Sequence, residues 1–320
     1  MTDGLCSKRI QLTPLEGKSE WSFSMRLLGR PNISRAGAGL LVAGALVFAA
    51  VWQSTEGLAA SRHATTVHDY LALGDSVTFG YRESNTTPPP NYLVASSLVA
   101  YPKDVGLALG LQVANAACPG ETSLSLTTKG VQSNGCENVP GGGPGYRAAF
   151  PLHVSYKGTQ LAYANAYLKS HRSTQLVSLM IGANDAFLCQ ETTADKCASE
   201  LPTVLKSISS NVARILSSIR TGDHFRGQIV ILNYYSLDYS NAVDNAGSQT
   251  LNTTVDKAAK PYKVQIADGY GAFKAAALQS GGDTCKAGLL TQLTPSGCGV
   301  HPSVAGQALL ALAVEEVVKK

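Results

Sequence analysis

The sequence is short of charge. Asp, Glu, Lys and Arg make up 15% of its 320 residues, and the net charge is only +4. Lys and Arg are scattered, with no basic stripe interleaved with aromatics, so nucleic acid is not the expected partner. There is no P-loop and no dinucleotide fingerprint; Gly37-Ala38-Gly39 lies inside an apolar segment rather than after a strand, so no nucleotide cofactor is expected. No Cys-x-x-Cys or His-x-x-x-His spacing supports a metal site. A Gly-x-Ser-x-Gly elbow is missing, which argues against the α/β-hydrolase arrangement of a nucleophilic serine. No internal repeat is found.

Apolar residues are plentiful at 44%, so a sizeable core is possible and wholesale disorder is excluded. Residues 1–35 are polar and basic, with Lys8, Arg9, Lys18, Arg26, Arg30 and Arg35. Residues 36–52 carry no charge. A basic flank before an apolar run is an export signal. Small residues at Gly57, Ala59 and Ala60 favour cleavage there, and Met25 is an alternative start that leaves a signal of ordinary length. The rival reading is an uncleaved anchor through residues 36–52, which is at the short end for a spanning helix. Either way, residues 61–320 are expected outside the cell or on the outer face of its membrane, as one domain after an N-terminal region of residues 1–60.

Cysteine usage agrees with export. Cys6 stands alone before the apolar segment, and the other six fall into near neighbours: Cys118 and Cys136, Cys189 and Cys197, Cys285 and Cys298. Six cysteines leave many pairings open. Local pairing is the simplest, since each bridge closes one short loop, and an oxidising compartment favours it.

From His68 onward the pattern reads as α/β. Strand-like apolar runs lie at 70–73, 111–114, 176–181 and 229–232. Helical patterns lie at 94–110, 158–171, 201–219, 253–262 and 304–318. Such alternation predicts a mostly parallel sheet covered on both faces. Two Pro- and Gly-rich stretches, 85–91 and 135–151, read as loops.

The chain is organised around Tyr70-Leu-Ala-Leu-Gly-Asp-Ser-Val-Thr-Phe-Gly80. A buried strand ends at Gly74-Asp75-Ser76, and a serine at that edge of an open sheet faces the crevice where ligands bind. Three further pieces sit at comparable junctions: Gly120 in Asn115-Ala-Ala-Cys-Pro-Gly-Glu-Thr-Ser123, Gly182-Ala183-Asn184-Asp185 after the third strand, and His301-Pro302-Ser303 at the start of the last helix. Singly, each has a plainer reading. Ser76 and Asn184 are good helix caps, Gly120 suits a turn, and His301 suits a helix entry. Asp75 and Asp185 read as residues that hold turns and helix starts.

Together, in this order, Ser76, Gly120, Asn184 and His301 resemble the SGNH hydrolases, the GDSL esterases and lipases. The resemblance runs from about residue 68 to the end of the chain, and the three local cysteine pairs resemble a secreted bacterial branch of that family. It implies a flavodoxin-like three-layer α/β/α sandwich. It implies hydrolysis of carboxylic esters, with lipid, acetylated glycan or small-molecule esters as substrates and no cofactor. Ser76 would be the nucleophile and His301 its base, while the Ser76 N–H, the Gly120 N–H and the Asn184 amide would form the oxyanion hole. A monomer is expected.

One part of the family pattern is missing. The usual orienting aspartate, three residues before the histidine, is replaced by Cys298, and the position used in some disulfide-bearing relatives is Gly299. No carboxylate remains in residues 293–300. The expectation is that the Cys298 carbonyl, fixed by a Cys285–Cys298 bridge, accepts from His301 Nδ1; Asp283 is the other candidate. Without an orienting acid, a binding protein that has lost its activity is a further alternative.

Overall fold

The computed structural model describes residues 68–319; the expected export segment and Cys6 lie outside them. A five-stranded parallel sheet has the order β2-β1-β3-β4-β5. In chain order its elements are β1 (His68–Gly74), α1 (Ser76–Phe79), α2 (Tyr101–Leu109), β2 (Leu111–Asn115), α3 (Tyr146–Ala149), α4 (Gln160–Ser170) and β3 (Thr174–Met180). There follow α5 (Ala183–Thr192), α6 (Leu201–Ser217), β4 (Gln228–Leu232), α7 (Ala242–Ala259), β5 (Gln265–Ala267) and α8 (Gly269–Ala277). A two-stranded hairpin of β6 (Leu290–Gln292) and β7 (Cys298–Pro302) precedes α9 (Val304–Val317).

β1 lies between β2 and β3, and Tyr70 to Leu73 are fully buried. A central parallel strand is covered on both faces, which is why it reads as an unbroken apolar run rather than an alternation. Burial of Leu71 and of Leu73 stabilises the fold by roughly 1.5–3 kcal/mol each. The direction of travel reverses after β2. Right-handed crossovers therefore set α2 on one face of the sheet and α4, α6 and α7 on the other. After β5, α8 and α9 join α2: α9 packs against α2, α8, β4 and β5. α6 shows the helical period plainly, burying Ile208, Val212, Ile215 and Leu216. Side-chain caps start several helices: Thr159 for α4, Asn241 for α7, Asp268 for α8 and Ser303 for α9.

The four predicted strands and the sandwich are present. The elements α5, β5, α8 and the β6–β7 hairpin are additional to those predicted, and four predicted details differ. The pattern at 94–110 forms a short 3-10 turn, Ala95–Ser97, and then α2, because Ala100 is extended and Pro102 sits in the first turn of a new helix. α7 begins at Ala242, well before residue 253, where Asn241 caps it. His301 lies in β7 rather than at the start of the last helix. The loop at 135–151 holds the one-turn helix α3.

All three local cysteine pairs are bridged. Cα separations are 5.6 Å for Cys118–Cys136, 5.2 Å for Cys189–Cys197 and 5.8 Å for Cys285–Cys298. Among the described residues no helix is long and apolar enough to cross a membrane.

Candidate active site

Ser76 opens α1 directly after β1, the strand at which the sheet's winding changes direction. In this strand order the crevice lies at the carboxyl end of the first strand. As the first residue of a helix, Ser76 has a backbone N–H with no intrahelical acceptor. Asp75 caps the turn: its Oδ1 accepts from the Val77 N–H at 3.0 Å and its Oδ2 accepts from the Tyr234 hydroxyl. Burial pushes the Asp75 carboxyl up to about 6, against the opposing pull of Tyr234, the Val77 N–H and the charge of His301. Asp75 is thus tied up in the turn, as its residue type predicted. Gly74 has φ +147°, and a Cβ there would overlap the Met180 carbonyl of the neighbouring strand. Only glycine lets β1 pass β3 so closely.

The flanking strands deliver the next two residues. Gly120 follows β2 with φ +78°, and a Cβ on it would strike the backbone of Asn134 and Gly135. That second segment is held there by the Cys118–Cys136 bridge and by an Asn134 N–H to Gly120 C=O bond of 2.8 Å. The Gly120 N–H has no backbone acceptor among the described residues. Asn184 follows β3 in the first turn of α5 and is 8% exposed. Its Oδ1 accepts from Asn134 Nδ2 at 3.3 Å, which leaves its own NH2 to donate elsewhere. Asp185 joins the two loops by accepting from the Ser123 N–H at 2.8 Å and the Ser123 hydroxyl at 2.6 Å. Burial pushes its carboxyl up to about 6 as well.

His301 comes from the opposite end of the chain. Its ring meets that of Tyr81 edge-on, with centroids 4.9 Å apart, and the Tyr81 N–H donates to the Ser76 carbonyl at 2.9 Å. The histidine thereby stands beside the Ser76 turn. The Cys298 carbonyl does not take its Nδ1. Glu83 does, through Oε1 at 2.8 Å. The same oxygen accepts from the Val300 N–H at 2.8 Å, and Oε2 accepts from the Thr291 hydroxyl. Burial pushes the Glu83 carboxyl up, but its bond to His301, the imidazolium charge and Thr291 outweigh this and hold it down at about 2. Asp283 is engaged elsewhere, paired with Lys286 at 3.1 Å. Sequence reasoning confined to the histidine's own neighbourhood missed Glu83. The available signal was its position seven residues after Ser76, as the sole carboxylate between Asp75 and Asp104.

An aromatic wall adjoins His301. Tyr81 stacks on Tyr92 at 5.3 Å, and Tyr92 in turn meets Tyr146 and Phe150. Next to it Leu93 and Val94 are exposed. One group of described residues combines metal-ligand types, Cys118, Glu121 and Cys136, but both sulfurs are consumed by the disulfide.

A profile of the GDSL-like lipase/acylhydrolase family matches residues 72–309, spanning every element of this site. The chain belongs to that family. GDSL hydrolases are acylhydrolases, so this protein is a carboxylic ester hydrolase. A comparison with curated proteins by sequence gives no match. Among solved structures, this GDSL hydrolase is similar to phospholipase A1 from Streptomyces albidoflavus NA297. Identity is 19%, coverage is 78% of this chain and 99% of the other, and the TM-score is 0.50. It is also similar to the acetylxylan esterase Axe2 from Geobacillus stearothermophilus, at 18% identity, 78% and 93% coverage and a TM-score of 0.46. The likeness to the phospholipase bears on the fold.

Proposed function

We propose that this GDSL hydrolase is a secreted serine esterase or lipase in which Ser76, His301 and Glu83 act as nucleophile, base and orienting acid. Ser76 Oγ attacks the ester carbonyl carbon while its proton passes to His301 Nε2. Glu83 accepts a hydrogen bond from Nδ1–H, which fixes the tautomer and leaves Nε2 free to act as the base. The N–H groups of Ser76 and Gly120 and the Asn184 amide donate to the oxyanion, each worth about 3–4 kcal/mol of barrier. Collapse breaks the bond to the alcohol oxygen, which takes the proton back from His301. Water then repeats the sequence on the acyl-enzyme and releases the carboxylic acid.

The observation that carries this reading is the Glu83–His301 pair beside the Ser76 turn. With it, the one argument for an inactive binding protein, a missing acid, falls away. Three bridges and the basic–apolar N-terminus support export, by cleaved signal or anchor. The aromatic wall and the exposed Leu93 and Val94 favour an ester with an apolar acyl or alcohol part over an acetylated glycan.

The test is turnover of aryl esters of graded acyl length by the wild type and by Ser76→Ala. The wild type is expected to prefer acyl chains longer than acetyl, and the variant to lose roughly 10⁴-fold or more in kcat. Equal rates in the two proteins would sink the mechanism. A strict preference for acetyl esters would move the substrate to the glycan class.

A further inference from the structure

Gln160 is fully buried at the first position of α4, behind the nucleophile turn rather than in the crevice. Its amide engages both polar groups of Gly74. The Gly74 N–H donates to Oε1 at 2.6 Å, and Nε2 donates to the Gly74 carbonyl at 3.0 Å. That carbonyl also accepts from the Cys118 N–H at 3.2 Å. The other Nε2 proton goes to Glu121 Oε2 at 3.1 Å, and Glu121 Oε1 accepts from the Ser125 hydroxyl. The amide orientation is dictated: the Gly74 N–H can only donate, so Oε1 faces it and the NH2 group turns to Glu121.

Glu121 is 2% exposed and ion-pairs with no cation among the described residues; Arg147, the cation acting on it, is paired with Glu137. Burial pushes its carboxyl up to about 7. A buried carboxylate with no cation is a poor source of stability, and apolar residues would serve the fold as well. Its place in the chain gives another reason for it. Gly74 stands two residues before Ser76, and Glu121 directly follows Gly120.

We propose that Gln160 and Glu121 form a bracket that fixes the separation of the Ser76 and Gly120 N–H groups so that both meet the same oxyanion. Both are positioning residues; neither touches the substrate. The inference rests on the ester-hydrolysis reading above.

The test uses the full chain with Gln160→Leu, Glu121→Ala and Glu121→Gln. It measures kcat and KM on an aryl ester, together with the inhibition constant of phenylboronic acid, whose boron bonds to Ser76 Oγ as a tetrahedral anion. Gln160→Leu is expected to lower kcat roughly ten- to a hundredfold with little change in KM, because displacement of a donor by about 1 Å has that effect. The boronate constant should rise by a similar factor, which loss of packing alone would not produce. Glu121→Ala should behave likewise. Glu121→Gln, whose carbonyl still accepts from Gln160, should lose less than Glu121→Ala.

Wild-type kcat and boronate affinity in folded Gln160→Leu would overturn the bracket and leave the mechanism standing. Should Gln160→Leu fail to fold, the Glu121 pair decides, and equal kcat in its two variants overturns the bracket. A wild type with no esterase activity would overturn mechanism and bracket together.

Discussion

The Glu83 carboxylate occupies the space in which a side chain at position 299 would begin. Gly299 is therefore part of the same arrangement: its bare Cα makes room for an acid arriving from 216 positions earlier, at residue 83. Glu83→Gln is expected to lower kcat by roughly 10²- to 10⁴-fold, the range for loss of an orienting acid while nucleophile and oxyanion donors remain. Steady-state kinetics check it, and an unchanged kcat would return the role to the Cys298 carbonyl. Gly299→Ala should lower kcat in the same direction by crowding the carboxylate out. Because the two substitutions act on one contact, the double variant should be no worse than Glu83→Gln alone.

The β6–β7 hairpin is the least self-sufficient element of the site. Its strands are short, and it is held to the rest by the Cys285–Cys298 bridge and by contacts with the loop after α1. The Thr294 N–H donates to the Asn85 carbonyl at 2.8 Å, and the Thr87 and Thr294 hydroxyls meet at 2.7 Å. Replacing both Cys285 and Cys298 by serine should cost about 2–4 kcal/mol. Activity should then vanish at a lower temperature than the helical circular dichroism, since the hairpin loosens before the sheet. Coincident transitions would show instead that the hairpin melts with the core.

The same contrast explains what could be read in advance. The sheet was legible because a doubly covered parallel strand writes itself as a local apolar run, as at Tyr70 to Leu73. α5 escaped because it buries only Asn184 and Cys189, and α8 because Gly269 and Gly271 interrupt its pattern. The hairpin, with strands of three and five residues, has no period to detect. Ser76, Gly120, Asn184 and His301 were singled out by their order and junctions. Glu83 was not, because a contact between residues 218 positions apart leaves no mark in either neighbourhood.

Across the whole molecule the buried acids pull stability toward mildly acidic pH. Asp75 and Asp185 are raised to about 6 and Glu121 to about 7. Each favours the fold in its protonated form, so its contribution is whole below about 4 and is lost as pH rises through those values. Glu83 runs the other way: its contribution is whole above 4.5 and is lost as pH falls toward about 2. The melting temperature should therefore peak near pH 4 and decline by pH 8. A steady rise from pH 5 to 8 would contradict this assignment.

The distance along the chain between Glu83 and His301 has a temporal meaning. A polypeptide leaves the ribosome from its amino end, so everything up to Asp185 is made while the base is still unwritten. On the proposed mechanism, any copy that stops short of residue 301 lacks its base. On that mechanism, competence to cleave esters arrives last, when the tail closes onto the first turn.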